Sequence, residues 1–354
     1  MQRPSPSSPS DLWAAVDRIV DRLSPEQACD HGLGPLAARR RRELGRPLTE
    51  QLVREERAAG AANLVAPSLL ARVREAVDGR IVVFRGPELS RHYPGRARRF
   101  GDLDLLPEDA ERTQAALLAA GFRLQDRDWP PEGYHDTRRP HYHLHPLEWP
   151  GVPLRIEVHR HVKWPDGVTP PANEDILGNA VAAENGVPGV LVPDPAQHAV
   201  LLASHVWGEI PFRRLRQLID ILAFVDGRIA PERLSAAADA WGFRRAWQST
   251  LDVCAWMFAE APKPLSVRTW ARHLETLRDP TVVEMHVQEW LAPFWMMPPW
   301  TASRLATAAV TRDFRPEIGQ TWGDKLAQIG RAFRHPFSSK TEHDRRSGRG
   351  RFRG

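Results

Sequence analysis

Residues 100–106 read Phe100-Gly101-Asp102-Leu103-Asp104-Leu105-Leu106, and this stretch decides the fold. Successive side chains of a β-strand point to opposite faces. Leu103 and Leu105 are therefore expected in the core, while Asp102 and Asp104 share the other face. Two carboxylates this close on a rigid strand repel each other unless a cation lies between them. Such oxygen ligands suit hard divalent cations, and Mg²⁺ commonly takes one or two carboxylates together with substrate phosphates.

Strand and helix patterns alternate around this stretch. The β-branched run at 80–86 predicts a buried strand that ends in a turn. Residues 87–93 predict a short helix with a proline in its first turn. Residues 108–120 predict an amphipathic helix that ends at Gly121. This alternation is typical of an α/β nucleus.

Two candidate hairpin strands follow the nucleus. Residues 141–145 alternate in polarity, residues 152–159 alternate again, and a turn is predicted at 148–151. In the second strand, Glu157 and His159 point to one face because side chains two residues apart share a face. This strand therefore carries a carboxylate, Glu157, on its polar face.

The chain divides into five segments by composition and periodicity. Residues 1–10 are rich in Ser and Pro and predicted to be disordered. Helices are predicted over 11–78, with a break possible at Pro67, and Asp194 is a predicted helix N-cap. The predicted fold is therefore α+β, with a small mixed β-sheet core flanked by N-terminal helices and a C-terminal helical domain. The remaining segments are the core (79–168), a mainly helical domain (169–334, regular to about residue 290) and a basic disordered tail (335–354).

Composition limits the cellular context. No apolar run approaches the length of about 18 residues that a membrane span needs, and the N-terminus lacks an apolar signal-peptide core. The only two cysteines, Cys29 and Cys254, fit a reducing cytoplasm. We therefore predict a cytoplasmic protein with no membrane partner.

The net charge is +5, but 45 of the 49 basic residues are Arg, a bias that a GC-rich genome also produces. A nucleic-acid partner for the Arg-rich tail is possible, although a solvated tail is the preferred interpretation.

The motifs together resemble a known superfamily. Arg85-Gly86, Leu89, Tyr93-Pro94, the Asp102 and Asp104 strand and Glu157-Val158-His159 occur in an order similar to nucleotidyltransferases of the DNA polymerase beta superfamily. The closer resemblance is to uncharacterised bacterial nucleotidyltransferases, whose members read Lys-Gly, Tyr-Pro, Asp-x-Asp and Glu-x-His. Helical segments at 201–205 and 214–220 also fit that group. The resemblance covers roughly residues 81–225, and the chain departs from it at Arg85, where Lys is usual, and at Pro87, where the superfamily has a small hydroxyl residue.

This resemblance implies a Mg²⁺-dependent transfer of a nucleoside monophosphate from a nucleoside triphosphate (NTP) to an acceptor, with release of pyrophosphate. Asp102, Asp104 and Glu157 would be the catalytic residues and the ligands of two Mg²⁺ ions. Arg85, Gly86 and His159 would bind the nucleotide, helped by the helix N-terminus after Gly86. The acceptor would be the hydroxyl, or a similar group, of an unidentified small molecule, peptide or protein.

Two other functions stay open. One is a catalytically weak nucleotide- or RNA-binding protein on the same fold, with the basic tail supplying affinity. The other is a histidine-ligated metalloenzyme, because His141, His143 and His145 share a strand face and could join His159 and His161 around zinc or iron. A polar strand face that lines the pocket is the preferred interpretation of these histidines.

The downstream helices also allow two interpretations. His198 and His205 are interpreted as hydrogen-bonded core histidines. Arg213, Arg214 and Arg216 are interpreted as a solvated helix face with Asp220 as ion-pair partner, or as a site for the base or the acceptor.

Overall fold

The computed structural model describes residues 9–125, 142–184, 186–225, 228–316 and 320–334. His141, the predicted basic tail and residues 1–8 lie outside these ranges. A mixed sheet with helices on both faces forms the fold, so the predicted α+β class is confirmed. No helix in the described part of the chain combines the length and the apolar character that crossing a bilayer requires.

Four helices precede the sheet, as the periodicity predicts. Thr49 caps the long fourth helix by accepting a hydrogen bond from the backbone N–H of Leu52. This helix continues through Pro67 without the predicted break. Ala66, Leu69 and Leu70 next to the proline are buried, and this packing holds the two halves together. The bounds are α1 (Pro9–Val20), α2 (Pro25–Asp30), α3 (Gly34–Glu43) and α4 (Glu50–Ala76).

The sheet has seven short strands in the order β3-β4-β5-β2-β1-β7-β6. The central strand β2 pairs antiparallel with β1 and parallel with β5. The 169–334 region, predicted to be mainly helical, also supplies β6 and β7, and β7 lies parallel beside β1. The bounds are β1 (Ile81–Val83), β2 (Asp102–Pro107), β3 (Arg123–Leu124), β4 (Leu147–Glu148), β5 (Arg155–Val158), β6 (Val181–Ala182) and β7 (Val190–Val192).

The predicted hairpin strand at 141–145 is wrong in position. The antiparallel partner of β5 is β4, with Leu147 opposite Ile156, and within the described residues 142–145 only His143 forms an isolated bridge, to His159. Residues 144–146 lie between the two pairs on one side and residues 157–158 on the other, so one extra residue forms a bulge. Pro146 lies in this bulge, where its missing N–H breaks no ladder bond.

The two faces of the sheet pack against different layers. Leu103, Leu105 and Ile156 belong to a core cluster with the second half of α4 and with α6 (Ala110–Ala119). Val82 and Leu106 point to the other face and join a larger cluster with the C-terminal helices. Asp104 alternates with the leucines of β2, and its carboxylate therefore lies between the sheet and the helical region.

Helices dominate the second half of the chain, and they continue beyond residue 290, where a less regular structure was expected. Asp194 is an N-cap as predicted, since its carboxylate accepts hydrogen bonds from the N–H groups of Ala196 and Gln197. The bounds are α7 (Asn173–Gly178), α8 (Pro195–Trp207), α9 (Leu215–Val225), α10 (Pro231–Ala240), α11 (Arg244–Phe258), α12 (Leu265–Thr269), α13 (Val282–Leu291), α14 (Pro293–Met296), α15 (Pro299–Phe314) and α16 (Trp322–Arg334). A one-turn helix, α5 (Pro87–Ser90), and two 3-10 turns, Pro94–Arg96 and Arg272–Thr276, complete the described elements.

Candidate active site

The register between β2 and β5 brings carboxylates together. Asp104 is directly opposite Glu157, and Asp102 is directly opposite Arg155. Partners in register on neighbouring parallel strands point to the same face of a sheet. Asp104 and Glu157, 53 residues apart in the chain, therefore face the helical region side by side.

Asp104 is the most enclosed carboxylate of the group, with 1% of its surface exposed. Its Oδ1 lies 3.0 Å from His159 Nε2, and its Oδ2 lies 3.5 Å from Arg85 Nη1. Burial opposes ionisation, but the charge of Arg85 and the hydrogen bond with His159 outweigh it and hold the pKa of Asp104 well below its usual range. Asp104 is thus a buried anion.

Glu157 is in the opposite electrostatic situation. Burial, together with the negative charges of Asp104 and Asp102, raises its pKa to about 8, against the opposing effect of Arg155 and Arg85. Its Oε2 is 3.7 Å from His143 Nε2 and its Oε1 is 3.9 Å from an Arg155 Nη atom, both longer than hydrogen bonds. His143 and Arg155 are therefore too far from Glu157 to neutralise a negative charge on it, and the pair formed with Asp104 has an excess of negative charge.

Asp102 lies at the edge of this group. Its side chain is 26% exposed, and its Oδ2 is 3.5 Å from an Arg155 Nη atom. The side chains whose ligand atoms all lie within 4.8 Å of one another are those of Asp104, Glu157 and His159. The structure therefore places two of the three predicted metal ligands together with His159, and places Asp102 beside them on the same face.

His159 is enclosed by aromatic rings. Phe84 meets it edge-on at 5.1 Å between ring centroids, and Tyr142 lies at 5.5 Å. Its Nε2 contacts Asp104, while its Nδ1 is buried without a hydrogen-bond partner in the described part of the chain. The enclosure fixes the ring against the carboxylate.

The turn after β1 brings Arg85 and Gly86 to the same place. Gly86 has a φ of +73°, and a Cβ there would lie 3.0 Å from the carbonyl oxygen of Asp102. Only glycine fits this conformation and this distance. The helix that follows is shorter than predicted, since α5 ends at Ser90 and begins with Pro87, which has no N–H to offer a phosphate. The contribution expected from that helix N-terminus is therefore not supported.

Two site residues, Lys163 and Glu209, were missed by sequence reasoning, and His205, interpreted from the sequence as a core histidine, lies beside Arg85 at the site. His205 Nε2 lies 2.7 Å from Arg85 Nη1, and burial with the nearby charge of Arg85 lowers the pKa of His205 to about 3. Lys163 Nζ donates to Glu209 Oε1 at 2.9 Å. His205 and Glu209 are four residues apart at the end of α8, but an i, i+4 spacing is too common to reveal such a site.

The interpretation of residues 213–216 as a solvated face is wrong. Arg213 is buried and its Nε lies 3.3 Å from Asp279. Asp220 pairs with Arg98, which donates at 2.6 Å and 2.8 Å to its two oxygens, and accepts a hydrogen bond of 2.7 Å from the Tyr93 hydroxyl. Arg98, which lies in a loop, is therefore the ion-pair partner of Asp220, where the i, i+4 spacing predicts Arg216.

Arg216 lies beside this network with its charge poorly compensated. Burial and the charges of Arg98 and Arg85 lower its pKa, against the attraction of Asp220. Its Nη1 donates to the carbonyl of Arg99 at 3.3 Å, and its Nε is buried without a hydrogen-bond partner among the described residues. Arg216 is thus the counterpart of Glu157, with an excess of positive charge around it.

The remaining histidines have separate environments. His145 Nε2 contacts the carbonyl of Gln125 at 3.0 Å, and His161 Nδ1 contacts the carbonyl of Val162 at 3.0 Å. His198 is a hydrogen-bonded core histidine as predicted, with its Nε2 2.6 Å from the carbonyl of Phe84. Of the predicted histidine-metal group within the described residues, only His159 lies in the cluster with Asp104 and Glu157.

Comparison with known proteins gives one match. The model of a family described as uncharacterised nucleotidyltransferase matches residues 25–259. This range, about two thirds of the chain, contains every site residue described above. No curated protein and no solved structure matches the chain.

Proposed function

The chain belongs to the family of uncharacterised nucleotidyltransferases, and from this premise we propose that it moves a nucleoside monophosphate from an NTP to an acceptor in a Mg²⁺-dependent reaction. Membership of the family supports nucleotidyl transfer as the general reaction. The observation that carries the finer proposal is the pair formed by Asp104, which is buried, and Glu157, which is half-buried, in register on neighbouring strands. Both carboxyl groups of such a pair are ionised at neutral pH only with added positive charge, because otherwise the pKa of one of them is raised and it stays protonated.

The donor set fits a divalent cation. The buried Oδ2 of Asp104 has no hydrogen-bond partner among the described residues, and Glu157 lacks a close cation of the protein. Asp102, Asp104 and Glu157 would hold the ions through carboxylate oxygens, the ligands that Mg²⁺ prefers. When bound, the ions supply Lewis-acid stabilisation of the phosphate oxygens and of the attacking oxygen.

The protein's own groups have defined tasks in this proposal. The acceptor oxygen forms a bond to the α-phosphorus, the bond from that phosphorus to the bridging oxygen breaks, and pyrophosphate leaves with the electron pair. A Glu157 carboxylate oxygen is placed to accept the acceptor's proton, as an alternative to holding the ion near the nucleophile. Arg85 neutralises charge on a phosphate, and His205 holds its guanidinium in place. Gly86 allows the backbone to approach the triphosphate.

Pyrophosphate release from an NTP tests the proposal. Turnover of the full-length protein is expected with Mg²⁺, to be lost with a chelator, and to fall to background in the double variant Asp102→Ala plus Asp104→Ala. The matched control is Glu174→Ala plus Glu232→Ala, which removes two exposed carboxylates far along the chain. Turnover in the first double variant equal to that of the control would reject the proposed site.

A histidine-ligated metalloenzyme is the second candidate, because His159 shares the 4.8 Å cluster with two carboxylates. Nitrogen ligands favour zinc or iron over Mg²⁺. Metal analysis of the purified protein distinguishes the two, since a stoichiometric zinc or iron content that His159→Ala removes supports the second candidate. A protein that is free of these metals and active with Mg²⁺ supports the first.

A further inference from the structure

The positive charge of the chain is concentrated at one end. Residues 322–354 contain nine Lys and Arg and three Asp and Glu, a net charge of +6. Because the whole chain carries +5, residues 1–321 together carry −1. A nearly neutral body therefore ends in a strongly basic segment, and a segment of this kind favours an anionic partner.

The basic segment begins with α16, and the apolar stripe of that helix faces solvent. Trp322, Leu326 and Ile329 are four and three residues apart and so share one helix face. Trp322 is 63% exposed and Leu326 is 64% exposed. Among the side chains of α16 that the structure describes, only that of Lys325 is buried. A helix that served only to complete the fold would bury its apolar stripe instead.

The start of α16 is fixed by its own cap. Thr321 Oγ1 accepts from the N–H of Asp324 at 3.1 Å, and Asp324 Oδ2 accepts from the N–H of Thr321 at 3.0 Å. This reciprocal pair satisfies two backbone donors at the helix start. Trp322 and Leu326 are therefore presented by a defined helix turn.

We propose that α16 binds the surface of an anionic lipid bilayer, and the net charge of +6 over residues 322–354 favours anionic headgroups. An amphipathic helix with Trp and Leu on one face and Lys and Arg nearby lies in the interface between headgroups and acyl chains. Basic residues add attraction to anionic headgroups. The helix lies on the bilayer and does not cross it.

Two other occupants satisfy the observations less well. An RNA would neutralise the basic residues but leave the aliphatic side chain of Leu326 in water. A second copy of the chain would cover the apolar stripe but bring two segments of net charge +6 together. An anionic bilayer meets both requirements at once.

Vesicle flotation of the full-length protein tests the proposal. The probes are vesicles of phosphatidylcholine alone and vesicles that also contain phosphatidylserine. The variant Trp322→Ser plus Leu326→Ser removes the apolar stripe, and Trp300→Ser is the control because Trp300 on α15 is 68% exposed. We expect binding to the anionic vesicles only, with the double variant weakened about tenfold or more, since each apolar side chain buried is worth about that factor.

Salt and RNA complete the test. Binding to the anionic vesicles is expected to fall as sodium chloride rises from about 0.1 M to about 1 M, because the Debye length shortens from about 10 Å to about 3 Å. Three results would overturn the proposal: no flotation with anionic vesicles, equal flotation of the double variant and the wild type, or binding of an RNA oligonucleotide without any binding of vesicles.

Discussion

The buried pair of Asp220 and Arg98 makes a prediction about stability. Asp220 is on α9, and Arg98 lies four residues before Asp102, so this pair ties the approach to β2 to the helical region. Both guanidinium contacts are short, and Arg98 is 3% exposed. The replacement Asp220→Asn keeps the shape of the side chain and removes its charge.

The expected cost follows from the burial. Removing one partner of a buried ion pair leaves the other charge without compensation, which typically costs about 3–5 kcal/mol. Asn retains one oxygen acceptor for Arg98 or for the Tyr93 hydroxyl, so we expect a loss of about 3 kcal/mol. The double variant Arg98→Met plus Asp220→Leu removes both charges and should recover most of that loss.

Urea unfolding of the full chain measures these differences through the midpoint. The control is Asp239→Asn, whose partner Arg244 is 77% exposed at the side chain, and there we expect a change below about 0.5 kcal/mol. The reasoning is refuted if Asp220→Asn unfolds at the same midpoint as that control, or if the double variant is less stable than Asp220→Asn alone.

Three further predictions follow from the site and the core. Gly86→Ala should lose about 1–3 kcal/mol and most of the turnover, because a Cβ would meet the Asp102 carbonyl at 3.0 Å, whereas Gly95→Ala, with nothing within 4 Å, should lose about 1 kcal/mol or less and keep turnover. The excess of positive charge around Arg216 favours an anionic ligand there, so Arg216→Gln should raise the KM for the NTP by about tenfold, or about 1.4 kcal/mol, and a KM equal to that of Arg54→Gln would contradict a contribution of Arg216 to NTP binding. Burial lowers the pKa of His198 and of His273 to about 4. Below pH 6.5 the unfolded chain therefore binds more protons than the folded one, and the free energy of unfolding should fall as the pH drops towards 4, by about 3 kcal/mol for each histidine. The slope of the melting temperature against pH should be smaller in His198→Gln, and an unchanged slope would contradict this assignment.

Elements that depend on local signals were predictable from the sequence. Helices are predicted over 11–78, and α4 runs within that segment from Glu50 to Ala76. The N-cap at Asp194 is where its residue type predicts it. Strands β4, β6 and β7 contain two or three residues each. A strand that short has no detectable period, and its place in a sheet depends on partners far away in the chain. The bulge at 144–146 follows from pairing with β5, which no local pattern contains.

The candidate site divides in the same way. Alternation along each strand was enough to put Asp104 and Glu157 on the polar faces of their own strands, since the parity of a strand is a local property, but the register that sets them side by side is not. The contacts that set their electrostatics are long-range: Arg85 and His205 are 120 residues apart, and Arg98 and Asp220 are 122 residues apart. The ion pair expected between Arg216 and Asp220 on neighbouring turns of α9 does not form, because Arg98 in a loop donates to both oxygens of Asp220.

The charges of the site are unbalanced in two places with opposite sign. Carboxylates crowd Glu157 on the sheet, and guanidinium groups crowd Arg216 on the helical side. A magnesium ion alone would compensate only the excess of negative charge at Glu157, and a free triphosphate only the excess of positive charge at Arg216. A magnesium–nucleotide complex would compensate both charge excesses. Binding of the metal is therefore expected to strengthen binding of the nucleotide, and the reverse. The family match at residues 25–259 includes both halves of this arrangement and ends well before α16. The two proposals therefore assign the chemistry and the bilayer binding to separate parts of the chain, and each activity is expected to persist when the other is removed.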